Sequence, residues 1–350
     1  MPSPTIKPAS GYHRIATEEA FAIKEIFDLY RKLLATKSYD DPGFRSLWGF
    51  YLESLSPRPA AVRERLLDLG ERRIADMNDT GIDRQIISLT APGVQVFDAP
   101  TAVSMARLAN DQLAEAVRRH PTRYTGLAAC APQDPKGAAK EIERGVKTLG
   151  FKGVIVNSHT HGEYLDDPKF WDIFEAAEAL DAPIYIHPTS MSRAMITPYL
   201  ERGLDGAIFG FGAETGLHVL RIIVAGVFDR FPKLKLVIGH LGEALPFWLF
   251  RIDYMHRATV AASRYPSLKP LKRKPSDYMR ENVYITTSGM ACEPTILYCQ
   301  KVLGMERVLY AMDYPYQFVA DEVVTSDNLP LSAADRKKFF QTNAEKVFSL

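Results

Sequence analysis

Val308-Leu-Tyr-Ala-Met-Asp-Tyr-Pro-Tyr316 opens as a buried strand and stops on a carboxylate, two residues before a proline that cannot continue a ladder. A carboxylate at the mouth of a buried strand is costly unless a cation or hydrogen bonds offset its lost hydration. Other apolar runs end in the same manner. Ile184-Tyr-Ile-His187 and Leu236-Val-Ile-Gly-His240 each finish on a histidine, and Arg14-Ile-Ala-Thr-Glu18 finishes on a glutamate. Four strand ends, each carrying an acid/base or metal-ligating group, organise the chain.

Outward from these runs, strands are expected at about 13–18, 85–90, 124–129, 153–157, 183–187, 234–240, 283–287 and up to Asp313. Helical patterns separate them, the clearest from Thr101 to His120. Asp167-Pro168 reads as an N-cap followed by proline at the first helical position, and Ser332 with Asp335 as a capping box. The strands are continuous apolar runs with little alternation, as expected where both faces of a parallel sheet are covered. Eight such units in 350 residues argue for a single (β/α)8 TIM barrel over an open sheet.

Residues 1–11 read as a flexible arm with no apolar segment of a secretory signal. Residues 37–59 form an insertion after strand 1, where a barrel places active-site loops; it is either a cluster packed on the barrel or a lid over substrate. The Gly203–Gly212 segment is a glycine-rich loop without the GxGxxG spacing of a nucleotide site.

Composition is that of a globular enzyme, 46% hydrophobic and 24% charged. A net charge of +1 gives no electrostatic reason to expect nucleic acid or a membrane surface, and no apolar run approaches a membrane span. Three cysteines without CxxC spacing (Cys130, Cys292, Cys299) suit a reducing compartment and read as core, so a cytoplasmic location is expected.

In a barrel the C-terminal strand ends share one mouth, so Glu18, His187, His240 and Asp313 are expected to converge there. Two carboxylates and an imidazole suit a divalent first-row metal with open positions. A place at that mouth is the less favoured of two readings for His159. His161 reads as surface, and Glu214 with His218, at i and i+4, as a solvated helix pair.

The combination Ala16-Thr-Glu-Glu-Ala-Phe21, Tyr185-Ile-His-Pro188, Ile238-Gly-His-Leu-Gly-Glu243 and Met312-Asp-Tyr-Pro315 resembles the metal-dependent decarboxylase branch of the amidohydrolase superfamily. The likeness runs from about residue 12 to 350. Ser46-Leu-Trp-Gly-Phe-Tyr51, Leu66–Asp76 and Gly206–Gly212 are most similar to the branch members that act on 5-carboxyvanillate. Many members carry a histidine two residues after the first ligand; this chain has Ala20 there, which implies a mononuclear site.

The resemblance implies one divalent ion, Mn²⁺ first with Zn²⁺ or Mg²⁺ as alternatives, held by Glu18, His187 and Asp313. It implies non-oxidative decarboxylation of a hydroxylated aromatic acid, 5-carboxyvanillate ahead of 2,3- or 2,6-dihydroxybenzoate. A hydrolase of the same superfamily is the alternative from another class. Asp313 would be the proton donor and His240 would bind the departing carboxylate. Arg58 and Arg251 match the family's substrate arginines, and Phe211 and Tyr316 would contact the ring. Arg251 lies eleven residues past His240, about two helical turns away from the mouth. It is therefore expected to serve a neighbouring subunit's site in a homodimer or higher homo-oligomer.

Overall fold

The computed structural model describes Ile6 and residues 11–350. Among the described residues eight parallel strands follow one another: β1 (Ile15–Phe21), β2 (Arg84–Leu89), β3 (Tyr124–Gly126, continued by Ala128–Ala129), β4 (Val154–Val156), β5 (Ile184–Ile186), β6 (Leu236–Ile238), β7 (Val283–Thr286) and β8 (Val308–Leu309). Each pairs in parallel with the next, and Leu127 links the two pieces of β3, its N–H bonding to Ile87 O and that of Ala128 to Gly153 O. The barrel closes between β8 and β1 through Thr17 N–H to Tyr310 O (3.1 Å), Ala20 N–H to Tyr314 O (2.7 Å) and a parallel bridge between Glu19 and Tyr314.

The strands are buried along almost their whole length because the intervening helices cover their outer faces. The segments that follow β5, β6 and β8 therefore share one rim, while β1 runs three residues past its predicted end at Glu18. The helix boundaries follow local chemistry. Asp98 caps Ala99–Arg119 by accepting Thr101 N–H at 2.8 Å, with Pro100 in the first turn where a missing N–H costs nothing. Asp167 and Ser332 accept Lys169 and Asp335 N–H at 3.0 and 3.1 Å.

Two expectations are refined. Ile6 is buried and its N–H bonds Asp79 O at 3.2 Å; the rest of the proposed arm before Gly11 lies outside the described residues. The centre of the insertion is a helix, Pro42–Glu53, capped by Asp41. Its Phe44 and Trp48 pack into Phe27 and Tyr30, with Trp48 and Tyr30 ring centroids 4.9 Å apart. Its Ser46, Leu47, Phe50 and Tyr51 face a cavity at the rim. One face of this amphipathic helix thus packs on the barrel while the other lines the cavity.

Candidate metal centre and substrate cavity

Glu18 is the fourth of the seven residues of β1, which runs on to Phe21 instead of stopping at Glu18 as the sequence suggested, and it is almost fully buried. Its Oε2 accepts hydrogen bonds from Tyr185, Thr286 (2.8 Å) and Ser288, three hydroxyls from β5, β7 and the turn after β7. Its Oε1 has no hydrogen-bond partner and is aimed at the site. His187 Nε2 lies 3.4 Å from that oxygen and His240 Nε2 3.7 Å. His187 Nδ1–H donates to Pro188 O at 2.7 Å, which fixes the tautomer and leaves the Nε2 lone pair toward Glu18. Burial pulls the His187 pKa down despite Glu18, so the ring is neutral, as a ligand must be.

Asp313 completes the group: ligand atoms of Glu18, His187 and Asp313 all lie within 4.8 Å of one another. Burial, with Glu18 beside it, pushes the Asp313 carboxyl well above the usual range, while His240 opposes the shift. Two carboxylates crowded in a dry rim favour a cation between them. An orphaned carboxylate oxygen, a tautomer-locked imidazole and a second carboxylate fit a divalent ion with open positions.

His240 opens a run of left-handed residues from His240 (φ 50°) through Leu241, Gly242 and Glu243 to Ala244 (φ 61°). Such conformations are disfavoured for side-chain-bearing residues and persist only where the surroundings enforce them. The turn folds Glu243 back so that its Oε1 lies 2.8 Å from His240 Nδ1, while Ser288 Oγ accepts His240 N–H at 3.1 Å. Burial disfavours the imidazolium, but Glu243 and Glu18 outweigh it and push His240 up to about 10. His240 is thus a cationic donor facing the cavity.

That cavity, of about 500 Å³, is lined by His187, His240, Asp313, Arg58, Phe211 and Tyr316. Of the residues expected from sequence, it omits only Arg251, which is exposed on helix Leu245–Ala261, and Glu18, which is beneath His187 and His240. Arg58 is exposed and its Nη2 donates to Tyr316 O at 3.4 Å. Tyr316 shares a 2.6 Å hydroxyl contact with Thr90 and stands edge-on to Tyr51.

Thr90, Tyr51 and Gln317 also line the cavity and were missed in the sequence. Thr90 ends the β2 run and could have been found by the rule that found Glu18. Glu243 could have been found from its three-residue spacing after His240. Tyr51 lies in the Ser46–Tyr51 stretch that carried part of the family resemblance, but no role at the site was read for it.

Two expectations fail. Glu214 and His218 are fully buried, not solvated. They form a chain in which Leu165 N–H bonds His218 Nε2 (3.0 Å), His218 Nδ1 meets Ser158 Oγ (3.1 Å), and Ser158 and Tyr164 hydroxyls bond Glu214 (3.2 and 3.1 Å). The helix turns this face toward the loops after β4 and β5, and the pair braces them. Cys292 is exposed, because it precedes helix Glu293–Leu303 as its N-cap residue; Cys130 and Cys299 are buried as expected. His159 is buried but faces away from the cavity, its Nε2 on Ser190 O at 3.0 Å, and His161 lies on the surface.

The buried brace gives a testable pH response. Burial drives His218 down to about 3, so below an unfolded value near 6.5 the unfolded state binds the extra proton and stability is lost as pH falls. Glu214, raised by burial, pulls the other way. The decisive quantity is therefore a difference. Thermal midpoints of the protein minus those of His218→Gln should fall between pH 7 and pH 5, and a flat difference would remove His218 as the cause.

The amidohydrolase family profile matches residues 62–350, and the chain belongs to that family. Within it, the chain is 54% identical to 5-carboxyvanillate decarboxylase of Novosphingobium aromaticivorans, whose crystal structure holds manganese and 4-hydroxy-3-methoxy-5-nitrobenzoic acid. The two superpose with a TM-score of 0.97 over 100% of both chains. It is 41% identical to the 5-carboxyvanillate decarboxylase of Sphingomonas paucimobilis, with a TM-score of 0.91 over 97% of this chain and 100% of that one. It is also 39% identical to γ-resorcylate decarboxylase of Polaromonas sp., over 83% of this chain and 90% of the relative.

Proposed function

We propose that this protein is a Mn²⁺-dependent carboxy-lyase that removes CO2 from 5-carboxyvanillate without an organic cofactor. The observation that carries the reading is the rim where Glu18, His187 and Asp313 place ligand atoms within 4.8 Å of one another, in a chain 54% identical over its full length to a manganese-bearing 5-carboxyvanillate decarboxylase. γ-Resorcylate (2,6-dihydroxybenzoate) is the second substrate to test, because the Polaromonas relative is named for it.

A divalent ion held by Glu18, His187 and Asp313 would offset the charge of the substrate carboxylate and its neighbouring phenolate. The chain supplies the rest. Asp313 delivers a proton to the ring carbon that bears the carboxylate; loss of CO2 then restores aromaticity. His240, kept cationic by Glu243, donates to the departing carboxylate. Phe211 and Tyr316 flank the ring, and the second carboxylate of the substrate pairs with Arg58 across the cavity. No water is consumed, which separates this chemistry from a hydrolase on the same fold. Metal-analysed protein should release one CO2 per 5-carboxyvanillate lost. Turnover of 2,6-dihydroxybenzoate but not 5-carboxyvanillate would reassign the substrate, and water-dependent cleavage of an ester or amide would overturn the class.

Arg251 is assigned to a neighbouring subunit's site across a two-fold interface. It shares helix Leu245–Ala261 with Phe247, Trp248, Phe250 and Tyr254, all exposed and together an apolar face of the kind that marks association surfaces. Phe250, 86% exposed, is the place to disrupt it. Phe250→Glu should give a monomer by analytical ultracentrifugation with kcat/KM at least ~10-fold lower, the order expected for losing a charge-assisted carboxylate contact. A fully active monomer would refute the shared site. Among the described residues no helix is long and apolar enough to cross a membrane.

A further inference from the structure

Glu19 follows Glu18 along β1 and, as strand alternation dictates, turns to other partners. It is fully buried and does not line the cavity. Its Oε1 accepts Met312 N–H at 3.0 Å, and its Oε2 accepts Tyr314 N–H and Gln85 Nε2, both at 3.3 Å. Met312 and Tyr314 are the two residues that flank Asp313, which itself stands at φ 65°.

The backbone ladder that closes the barrel runs from Thr17–Tyr310 to Ala20–Tyr314, and between them β1 shifts register against β2. Across that irregularity a side chain takes the place of backbone acceptors. The two amides that would lack partners at the closure are met by one carboxylate. Glu19 is braced in turn. Gln85 Oε1 accepts Arg73 Nη1 at 3.1 Å, and the buried Arg73 guanidinium bonds Asp68 O (3.0 Å) and Ala20 O and covers the Tyr314 ring at 4.5 Å. Burial, with Asp313 and Glu18 nearby, raises the Glu19 carboxyl well above the usual range, opposed by the Met312 N–H and Arg73; what holds the side chain in place is the set of three donors on its two oxygens.

We propose that Glu19 is a positioning residue for the metal centre: by holding the amides on both sides of Asp313, it fixes that carboxylate opposite Glu18. The two candidate ligands come from opposite ends of the chain, and Glu19 ties the strand bearing one to the loop bearing the other. The inference rests on reading Glu18, His187 and Asp313 as a Mn²⁺ site.

The test is Mn²⁺ titration of the metal-free full chain, followed by calorimetry and by electron paramagnetic resonance of the bound ion. Glu19→Gln preserves volume but offers one acceptor oxygen and sets an N–H₂ against the second amide. It should bind Mn²⁺ about 10- to 100-fold more weakly, as removal of outer-shell partners does, with a changed resonance spectrum and an unaltered far-UV circular dichroism. Gln85→Met removes the donor that anchors Glu19 Oε2 beside the Tyr314 amide, so the carboxylate loses its hold on that amide and Mn²⁺ binding should weaken by about 10-fold, the low end of the range for lost outer-shell partners.

A Glu19 with a purely structural role would lower the thermal midpoint of Glu19→Gln and leave Mn²⁺ affinity within twofold and the spectrum unchanged; that result overturns the proposal. Should Glu19→Gln not fold, Gln85→Met decides, and wild-type Mn²⁺ affinity in that variant overturns it equally. Failure of the wild-type chain to bind Mn²⁺ would instead sink the metal-site reading, so the two failures are distinguishable.

Discussion

Asp313→Asn is expected to yield a folded, metal-loaded protein that turns over 5-carboxyvanillate on the order of 10³-fold more slowly or worse, within the range lost when a general acid is removed. Asparagine matches aspartate in shape, and its Oδ1 can still face Glu18 and His187. It carries no proton that can be transferred to a ring carbon. The surroundings of Asp313 favour the acid form, since burial and the Glu18 charge raise its carboxyl and only His240 opposes them. A bound cation acts in the same direction as His240, so the acid is poised between the two influences. The measurement is kcat beside metal content. Full Mn²⁺ loading with kcat within tenfold of wild type would take the proton-donor role away from Asp313.

The fold was legible because the strands are uninterrupted apolar runs with turn-formers between them, a pattern that only a covered parallel sheet explains. The rim was legible for a related reason. A charged or imidazole side chain just past the end of such a run has nowhere to go except the mouth of the barrel, which singled out His187, His240 and Asp313; Glu18 was named with them because the apolar run breaks there, although β1 itself continues to Phe21. Arg251 was separable from its own site by helix rise alone, and the structure leaves it exposed and outside the cavity.

What escaped notice depends on three-dimensional partners. Glu214 and His218 carry an ordinary helix-surface spacing, and only the loops after β4 and β5 make that face an interior one. Glu19 reads as a second acidic residue beside the first; its role lies in amides some 293 residues further along the chain. The left-handed run after Gly239 is equally silent, because Leu241, Glu243 and Ala244 have no local preference for positive φ. Tertiary contacts impose it, and the result is that His240 and Glu243 meet.

Gly239→Ala should do to the metal what Asp313→Asn does to the proton. The backbone there is extended (φ −74°, ψ −175°), so alanine meets no conformational objection. Space is the obstacle. A Cβ at 239 would lie 2.6 and 2.9 Å from the two Glu18 carboxylate oxygens and 3.0 Å from Ser288 Oγ, all well inside ordinary contact. β6 and β7 are locked in the closed sheet, so the part that can move is the Glu18 side chain, and moving it breaks its bonds to Tyr185, Thr286 and Ser288 and turns Oε1 away from His187. The expected outcome is Mn²⁺ affinity down about 10- to 100-fold, the scale seen when support of a ligand is lost. Turnover should fall with it, and excess Mn²⁺ should restore much of it. Asp313→Asn should show the reverse, with metal retained and no rescue at any Mn²⁺ concentration. Wild-type Mn²⁺ affinity in Gly239→Ala would mean that Glu18 is not held as a ligand, since its carboxylate could then be displaced at no loss to the site.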